Sequence, residues 1–582
     1  MKNKEIIFWL LIFCLFVLFL QFNYSYQFYY MEHLQLLLFN RLAAVDAVGQ
    51  IGGVSLYLSR FLVQFFILPW GGAVIVSLLL TSVSIVMRFT LWQSKPLHEI
   101  YLFCLLPAVA LFPVVIDPVY YLQGIVAYLF GLLTFWVYGK ISDYRTRLLT
   151  AVFLLLLLYY IAGPVSGLLA GCIALREYLN KQPRSYISLL LVAEVLLLGL
   201  LSLTFSLTGE SRFAFLPDAY ADPLIHGNKA YLSWIVWPFC MIVVHYIYSR
   251  RKIQGGKLTW SVVLTQLVLL AVIAFFLISK YGLKESLQER RMSYYAYIGQ
   301  WDKLLDVKLD EHSMNTKMNL VNYALAKQQK LGDEMFNYDQ RGVKSLITQW
   351  DNSINAAMQL SDIYFCIGDI ASSQKYAFEG YVSSVNCGSG RLLKRLVETN
   401  LIFGTYPVAE KYISLLEQTI FYKTWAKEHR RFLYNDLAVA KDPLLGGKRK
   451  GLNGPAGIAV SANLIEELEL LALNNPDNQT AIQYLAAFYL SNKDLAHFKG
   501  LVERYYPTKI WPQLSESHQE AIVFLSPNDR KYWIQHGMSG ETEHRYNLFE
   551  HDFTANSDRS DLPEQMASNY GNTYWYYLLL KK

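Results

Sequence analysis

The sequence predicts an all-α protein in two parts: a transmembrane bundle of about nine spans over residues 1–282, then a soluble α-solenoid of tetratricopeptide-like helix hairpins over residues 283–582. Three observations predict it. Apolar residues make up 54% of the 582-residue chain and charged residues only 17%, where about a quarter charged is usual for a soluble protein. The excess is confined to the first half: long apolar runs fill the chain up to Tyr281, and from Leu283 polar residues appear at ordinary globular density. The second half then places Gly299, Gly332, Gly368 and Gly404 at separations of 33, 36 and 36 residues.

Reading the first half with a window of about 19 residues gives the spans in order. They are Ile6 to Phe22, Trp70 to Trp92, His98 to Ile116, Pro118 to Tyr138, Leu148 to Gly163, Pro164 to Tyr178, Tyr186 to Leu207, Tyr231 to Tyr248 and Leu258 to Tyr281. The first lacks a small-residue cleavage site, "QFNYSYQFYY" following it, and reads as a retained anchor. Cytoplasmic loops carry the excess of Lys and Arg. Lys2 and Lys4, Arg88 and Lys95, Lys140, Arg145 and Arg147, Arg176, Lys181 and Arg184, and Arg250, Arg251, Lys252 and Lys257 all fall on one side of nine crossings. The other side holds only Arg41, Arg60, Arg212 and Lys229. The expectation is a cytoplasmic N-terminus and a soluble half on the far side of the membrane.

Between the first two spans lies a long external loop, residues 23–69. "FYYMEHLQLLLFNR", Phe28 to Arg41, reads as an amphipathic helix in the interface, with Tyr29 and Tyr30 at headgroup level. "GVSLYLSRFLVQFFIL", Gly53 to Leu68, sets Arg60 and Gln64 on one face and stops at Pro69. With a central Arg it is too short and too charged for a comfortable crossing, so it reads as re-entrant or interfacial.

In the second half each of the four glycines stands at an expected helix-to-helix turn. Small residues such as Ser373 and Ala409 follow and let the helices approach. The spacing resembles the tetratricopeptide repeat, whose period is 34 residues, and such arrays usually bind a protein or peptide. A weaker copy runs from Tyr484 to Pro507. "AKDPLLGGKRKGLNGPAG", Ala440 to Gly457, lacks the GxxxxGK[ST] order of a phosphate-cradling loop and reads as a mobile surface loop. Cys366 and Cys387 fall at the ends of successive antiparallel helices and should not pair, since about 15 Å of helix rise separates them. The tail from Tyr570 to Lys582, too short to span and dense in aromatics, should dock on the repeats or at the membrane interface.

The order of one anchor, an external loop with two interfacial helices, a multi-span bundle and a soluble external domain resembles the lipid-carrier-dependent glycosyltransferases of the C-type fold. That resemblance implies a carboxylate base in the first external loop and Arg, Lys or His on the phosphate of a polyprenyl-phosphate sugar. Glu32 and Asp46 are both eligible as the base, with Asp117 next in line; Arg60, then Arg212 and His226, are the candidate phosphate-binding residues. "FLVQFFILPWGGA" and "GNTYWYYLLL" also resemble an uncharacterised family of bacterial polytopic inner-membrane proteins with helical-repeat tails, which implies an inner membrane and a periplasmic tail.

Each candidate has a plainer reading. Glu32 and His33 are the polar face of a surface helix, Asp46 a cap, and Arg60 a structural partner of Asp46 or Asp117. Glu194, inside a span, must be protonated or paired, since lipid does not tolerate a bare carboxylate. No metal set, cofactor fingerprint or nucleophilic Ser motif is present: His33, His98, His226 and His245 fall in different segments. The net charge of +6 comes largely from loop cations and does not indicate nucleic acid. Two other classes compete with a glycosyltransferase: a non-catalytic membrane-anchored scaffold for envelope assembly, and a transporter, hinted at only by Pro107, Pro113 and "GPVSG" at Gly163 to Gly167.

Overall fold

No Gly or Pro occurs between Asn3 and Leu34, and those residues form one unbroken helix, α1. At about 48 Å it outreaches the ~30 Å hydrocarbon core of a bilayer. Glu32 and His33 therefore ride on the last turn of α1 rather than on a separate interfacial helix, and residues 35–39 belong to no helix or strand. A computed structural model describes residues 3–91, 101–117, 120–182, 185–205, 211–221, 229–250, 260–282, 284–309, 315–384, 387–452, 464–557 and 559–581. His226, Lys2, Lys95, Arg184, Arg251, Lys252 and Lys257 lie outside them.

Asn40 starts α2, Arg41–Val48, by accepting the Ala43 N–H at 2.6 Å. The turn that follows needs glycine twice: Gly52 has φ +73, and a Cβ on Gly53 would sit 1.9 Å from the Ala47 carbonyl oxygen. Then α3, Gly53–Val63, runs into a 3₁₀ turn, Gln64–Ile67, and ends before Pro69. The remaining helices of this half are α4 (Gly71–Leu91), α5 (Tyr101–Val115), α6 (Gln123–Tyr138), α7 (Tyr144–Ala162), α8 (Val165–Leu179), α9 (Leu189–Thr204), α10 (Ser211–Phe215), α11 (Ala230–Arg250) and α12 (Trp260–Tyr281).

Among the described residues, six helices are long and apolar enough to cross a membrane: Glu5–Leu34, Gly71–Leu91, Tyr144–Ala162, Ser185–Thr204, Ala230–Ile247 and Ser261–Tyr281. Six stand where nine were expected. The difference is length: α6 and α8 stop at 16 and 15 residues, about 23 Å of rise, and α5 is described over 15. The "GPVSG" sequence is an interhelical turn, with Gly163 at φ +72 closing α7 and Pro164 opening α8.

Helices α1 and α5 pack on α4, α6 packs on α4, α7 and α8, and α11 and α12 pack on α5. The α1–α4 contact is close: a Cβ on Gly72 would lie 2.4 Å from the Phe28 Cβ. Trp237, fully buried, meets Tyr128 and Phe135 edge-on at 5.6 Å each.

The chain divides into two compact units, one of residues Met1–Leu287 with Gln418–Phe421, the other of Gln288–Glu417 with Tyr422–Lys582. The protein is all-α and 79% helical, with no strand among the described residues. In the second unit, Ile354–Ile367 packs against Ile370–Ser383, and Gly390–Phe403 against Tyr406–Leu416. Gly368 (φ +103) and Gly404 (φ +77) close the first helix of each pair, and Gly299 (φ +70) follows Lys284–Tyr297. Ser373 and Ala409 are fully buried, and Ser373 Oγ donates to the Ser361 carbonyl at 2.8 Å. Gly332 differs. It lies inside the helix Leu331–Glu334, where a Cβ would stand 2.2 Å from Ser515 Oγ, and the left-handed residue of that turn is Gln329.

The basic stretch expected to be a mobile loop is instead a helix, Pro443–Lys450, capped by the Asp442 carboxylate accepting from Leu444 and Leu445 N–H; residues 453–457 lie outside the described set. Its cations have a structural task. Lys448 Nζ donates to the Cys366 carbonyl at 2.8 Å and Arg449 Nε to the Ile402 carbonyl at 2.9 Å, satisfying carbonyls that the ends of two helices leave open. Cys366 and Cys387 are both free thiols.

The aromatic tail docks within the second unit as the helix Tyr574–Leu579. Trp575 is fully buried and its indole N–H donates to the Glu520 carbonyl at 2.7 Å; Tyr577 donates to the Ser491 carbonyl at 2.6 Å. The Glu520 carboxyl accepts the Tyr574 N–H at 2.6 Å. Burial pushes that carboxyl from its ordinary 4.5 up to about 8. A folded-state value above the unfolded one means the folded protein holds the proton more tightly, so this contribution is full below pH 4.5 and is lost as pH rises through about 8. The Glu520→Gln variant keeps an acceptor oxygen and removes the titration. Its melting temperature should therefore vary less than wild type between those two pH values; superimposable profiles would show that Glu520 does not titrate there.

Candidate functional site

Where α1 ends, an apolar helix delivers polar side chains into the protein. Glu32 is 1% exposed, His33 5% and Gln35 3%. His33 Nδ1 lies 3.2 Å from Glu32 Oε2. The 3₁₀ turn after α3 brings Gln64 alongside, and its amide donates to the Gln35 carbonyl at 2.7 Å and to the Arg60 carbonyl at 3.0 Å. Arg60, 9% exposed, is thus linked through its backbone carbonyl and Gln64 to the chain just beyond the Glu32–His33 pair.

Asp46 does not join this neighbourhood through any interaction described here; it stands exposed on α2. Asp117 is held by Lys229, Nζ to Oδ2 2.7 Å, with both side chains mostly buried. Tyr121, four residues on, donates its N–H to the Tyr220 carbonyl at 2.9 Å, next to the bridge between Tyr120 and Ala221. Arg212, on α10, lies over Phe213 with its guanidinium 5.1 Å from the ring centroid and acts electrostatically on Tyr231, whose hydroxyl donates to Asp218 at 3.2 Å. The structure thus buries Glu32 and Arg60, with Gln64 bonded to the Arg60 and Gln35 backbone carbonyls, ties Asp117 to a lysine and leaves Arg212 near Asp218. Glu194 sits half-buried on α9 with Oε1 buried and without a hydrogen-bond partner among the described residues.

The same end of the bundle is stitched by further bonds. Gln123 donates to the Gly52 carbonyl at 3.1 Å, Gly52 N–H to the Tyr160 carbonyl at 2.9 Å, and Tyr220 hydroxyl to the Ala162 carbonyl. An apolar groove of about 540 Å³ runs between α1, α5 and α12, bounded by Phe8 and Phe19 on α1. It ends about 20 Å of helix rise short of Glu32.

The sequence reading missed a second polar cluster at the other end of the helices. Glu177, fully buried, takes Arg147 on both oxygens, Nε to Oε1 at 3.1 Å and a second guanidinium nitrogen to Oε2 at 2.6 Å, and accepts the Tyr138 hydroxyl at 2.8 Å. Nearby, Arg88 pairs with Glu5 at 2.8 Å.

Residues 2–581 match the family described as "Family of unknown function (DUF6057)". The chain belongs to that family. No curated protein and no solved structure matches it. Nearly the whole DUF6057 chain falls within the family match, so both units belong to it. No group of His, Cys, Asp and Glu with metal-binding geometry occurs among the described residues.

The Asp117–Lys229 pair in this DUF6057 protein gives a direct test of what holds the acid. Asp117→Asn and Lys229→Gln should each destabilise the fold, and the double variant should cost less than their sum, with a coupling energy of about 0.5–3 kcal/mol. Additive losses in thermal melts would show that the two residues act independently.

Proposed function

We propose that the protein is a polytopic inner-membrane protein of the bacterial cell envelope that transfers a sugar from a polyprenyl-phosphate carrier at the periplasmic face. In this reading the chain crosses nine times, its N-terminus is cytoplasmic, and the second unit is a periplasmic tetratricopeptide-like solenoid that engages a protein or peptide partner. The observation that carries it is the buried Glu32–His33 pair, with a buried Arg60 whose backbone carbonyl and that of Gln35 share the Gln64 amide. A carboxylate buried beside an imidazole has the setting of a base, and a guanidinium is suited to a phosphate oxyanion.

The step assigned to these residues is a substitution at the anomeric carbon. The acceptor hydroxyl gives its proton to the Glu32 carboxylate as its oxygen bonds to that carbon. The bond from carbon to carrier-phosphate oxygen breaks with its electron pair, and Arg60 holds the departing phosphate. Asp46, being exposed, is the second candidate base. Asp117 is the third, and Arg212 and His226 follow Arg60 as candidate phosphate-binding residues.

The scaffold reading draws support from a different observation. Asp117 is already neutralised by Lys229, and the helix ends around it are tied together by hydrogen bonds, as a purely structural layer would be.

Two measurements test the proposal. Reporter fusions after Lys140 and Lys252 should report cytoplasm, and fusions after Asp222 and Glu289 the opposite side; a cytoplasmic signal at Glu289 removes the periplasmic site. Arg60→Gln should fold yet lose co-purified polyprenyl phosphate, whereas Glu32→Gln should keep the lipid and lose transfer. If Arg60→Gln, Glu32→Gln and Asp46→Asn all fold, keep the lipid and still support the cellular role, the transferase reading fails and the scaffold stands.

A further inference from the structure

At the end of the bundle that carries Glu177, a cavity of about 300 Å³ opens between α4, α6, α8 and α11. That volume sits at the small end of ligand sites. Its wall carries Arg176, Asn180, His245 and Ser249 against an apolar side that includes Phe135 and Val244.

Arg176 is the decisive residue. Its Nε is buried with no hydrogen-bond acceptor among the described residues, and its guanidinium makes one long bond, 3.5 Å, to the Gly139 carbonyl. It stacks over Phe135 at 5.5 Å and Tyr138 at 5.7 Å. Gly139 leaves room for it, since a Cβ there would stand 2.4 Å from one of its terminal nitrogens.

The neighbouring acid makes its hydrogen bonds elsewhere. Glu177 gives both oxygens to Arg147 and accepts Tyr138 as well. Two guanidiniums therefore share one carboxylate, and a positive charge is left over at the cavity wall. A half-buried guanidinium with a buried Nε lacking an acceptor favours an anion beside it.

We propose that this cavity binds a phosphate ester, with Arg176 on the phosphate oxygens, Asn180 and His245 as further donors, and the ester's carbon portion against Phe135 and Val244. The phosphate belongs either to a lipid headgroup or to a soluble monoester. This site is separate from the one around Glu32 and does not depend on the transferase reading.

The test uses the full chain. Its melting temperature is followed in detergent against inorganic phosphate and glycerol 3-phosphate, and in nanodiscs of phosphatidylglycerol against phosphatidylcholine. Stabilisation by the soluble probes assigns a soluble ester; stabilisation by phosphatidylglycerol alone assigns a headgroup. Arg176→Gln should weaken the response at least about tenfold, or ~1.4 kcal/mol. Val244→Trp, which fills the cavity and spares the cation, should abolish it while the ligand-free melting temperature holds; this arm serves if Arg176→Gln does not fold. A wild type that responds to none of the probes, or a response that survives in Val244→Trp, overturns the proposal.

Discussion

A polar side chain carried into apolar surroundings must be met by protein, and most of what is specific in the first unit follows from that. Its helices are nearly uniform in apolar character, so their packing alone would leave many arrangements of similar energy. The polar residues near the helix ends remove that freedom. Arg147 and Tyr138 reach Glu177 from α7 and α6, Lys229 reaches Asp117 from the start of α11, and Gln64 reaches back to the Gln35 carbonyl beyond α1. Each of these bonds joins segments distant in sequence. They fix which helix end stands beside which, and the residues read as chemically capable are drawn from the same set.

The second unit meets the same requirement at its helix termini. Lys448 and Arg449 cover carbonyls at the ends of Ile354–Ile367 and Gly390–Phe403, and Glu520 receives the N–H of Tyr574 as the last helix enters. Charge there serves packing first. A basic cluster that looks from sequence like a solvated loop proves to be the cap of two helices.

How much was legible depends on the range of the signal. Hydrophobic runs and the spacing of Gly368 and Gly404 report local structure, and the two-part, all-helical arrangement could be read from them. Tyr574 and Trp575 could be read as a docking tail because buried aromatics need little context. The window that finds spans averages over their ends, so it did not show that α6 and α8 are short or that α1 continues to Leu34. Gly332 shares the period of its neighbours but is required by a close contact with Ser515, 183 residues away in sequence, which no local pattern reveals. Glu32 and Arg60 were chosen for charge in an apolar setting, and that signal found residues that are buried. The same signal passed over Glu177 and Arg176, because a charge at the end of a span counts toward orientation before it counts toward a site.

The unbroken α1 has a mechanical consequence. Glu5 at one end is pinned to Arg88 on α4, Phe28 is wedged against Gly72 on the same helix, and Glu32 and His33 occupy the far tip. A rod of that length has no Gly or Pro at which to bend. In a bilayer, whose thickness tilts helices longer than the hydrocarbon layer, such a rod would carry Glu32 with it, with no flexible loop between to absorb the change.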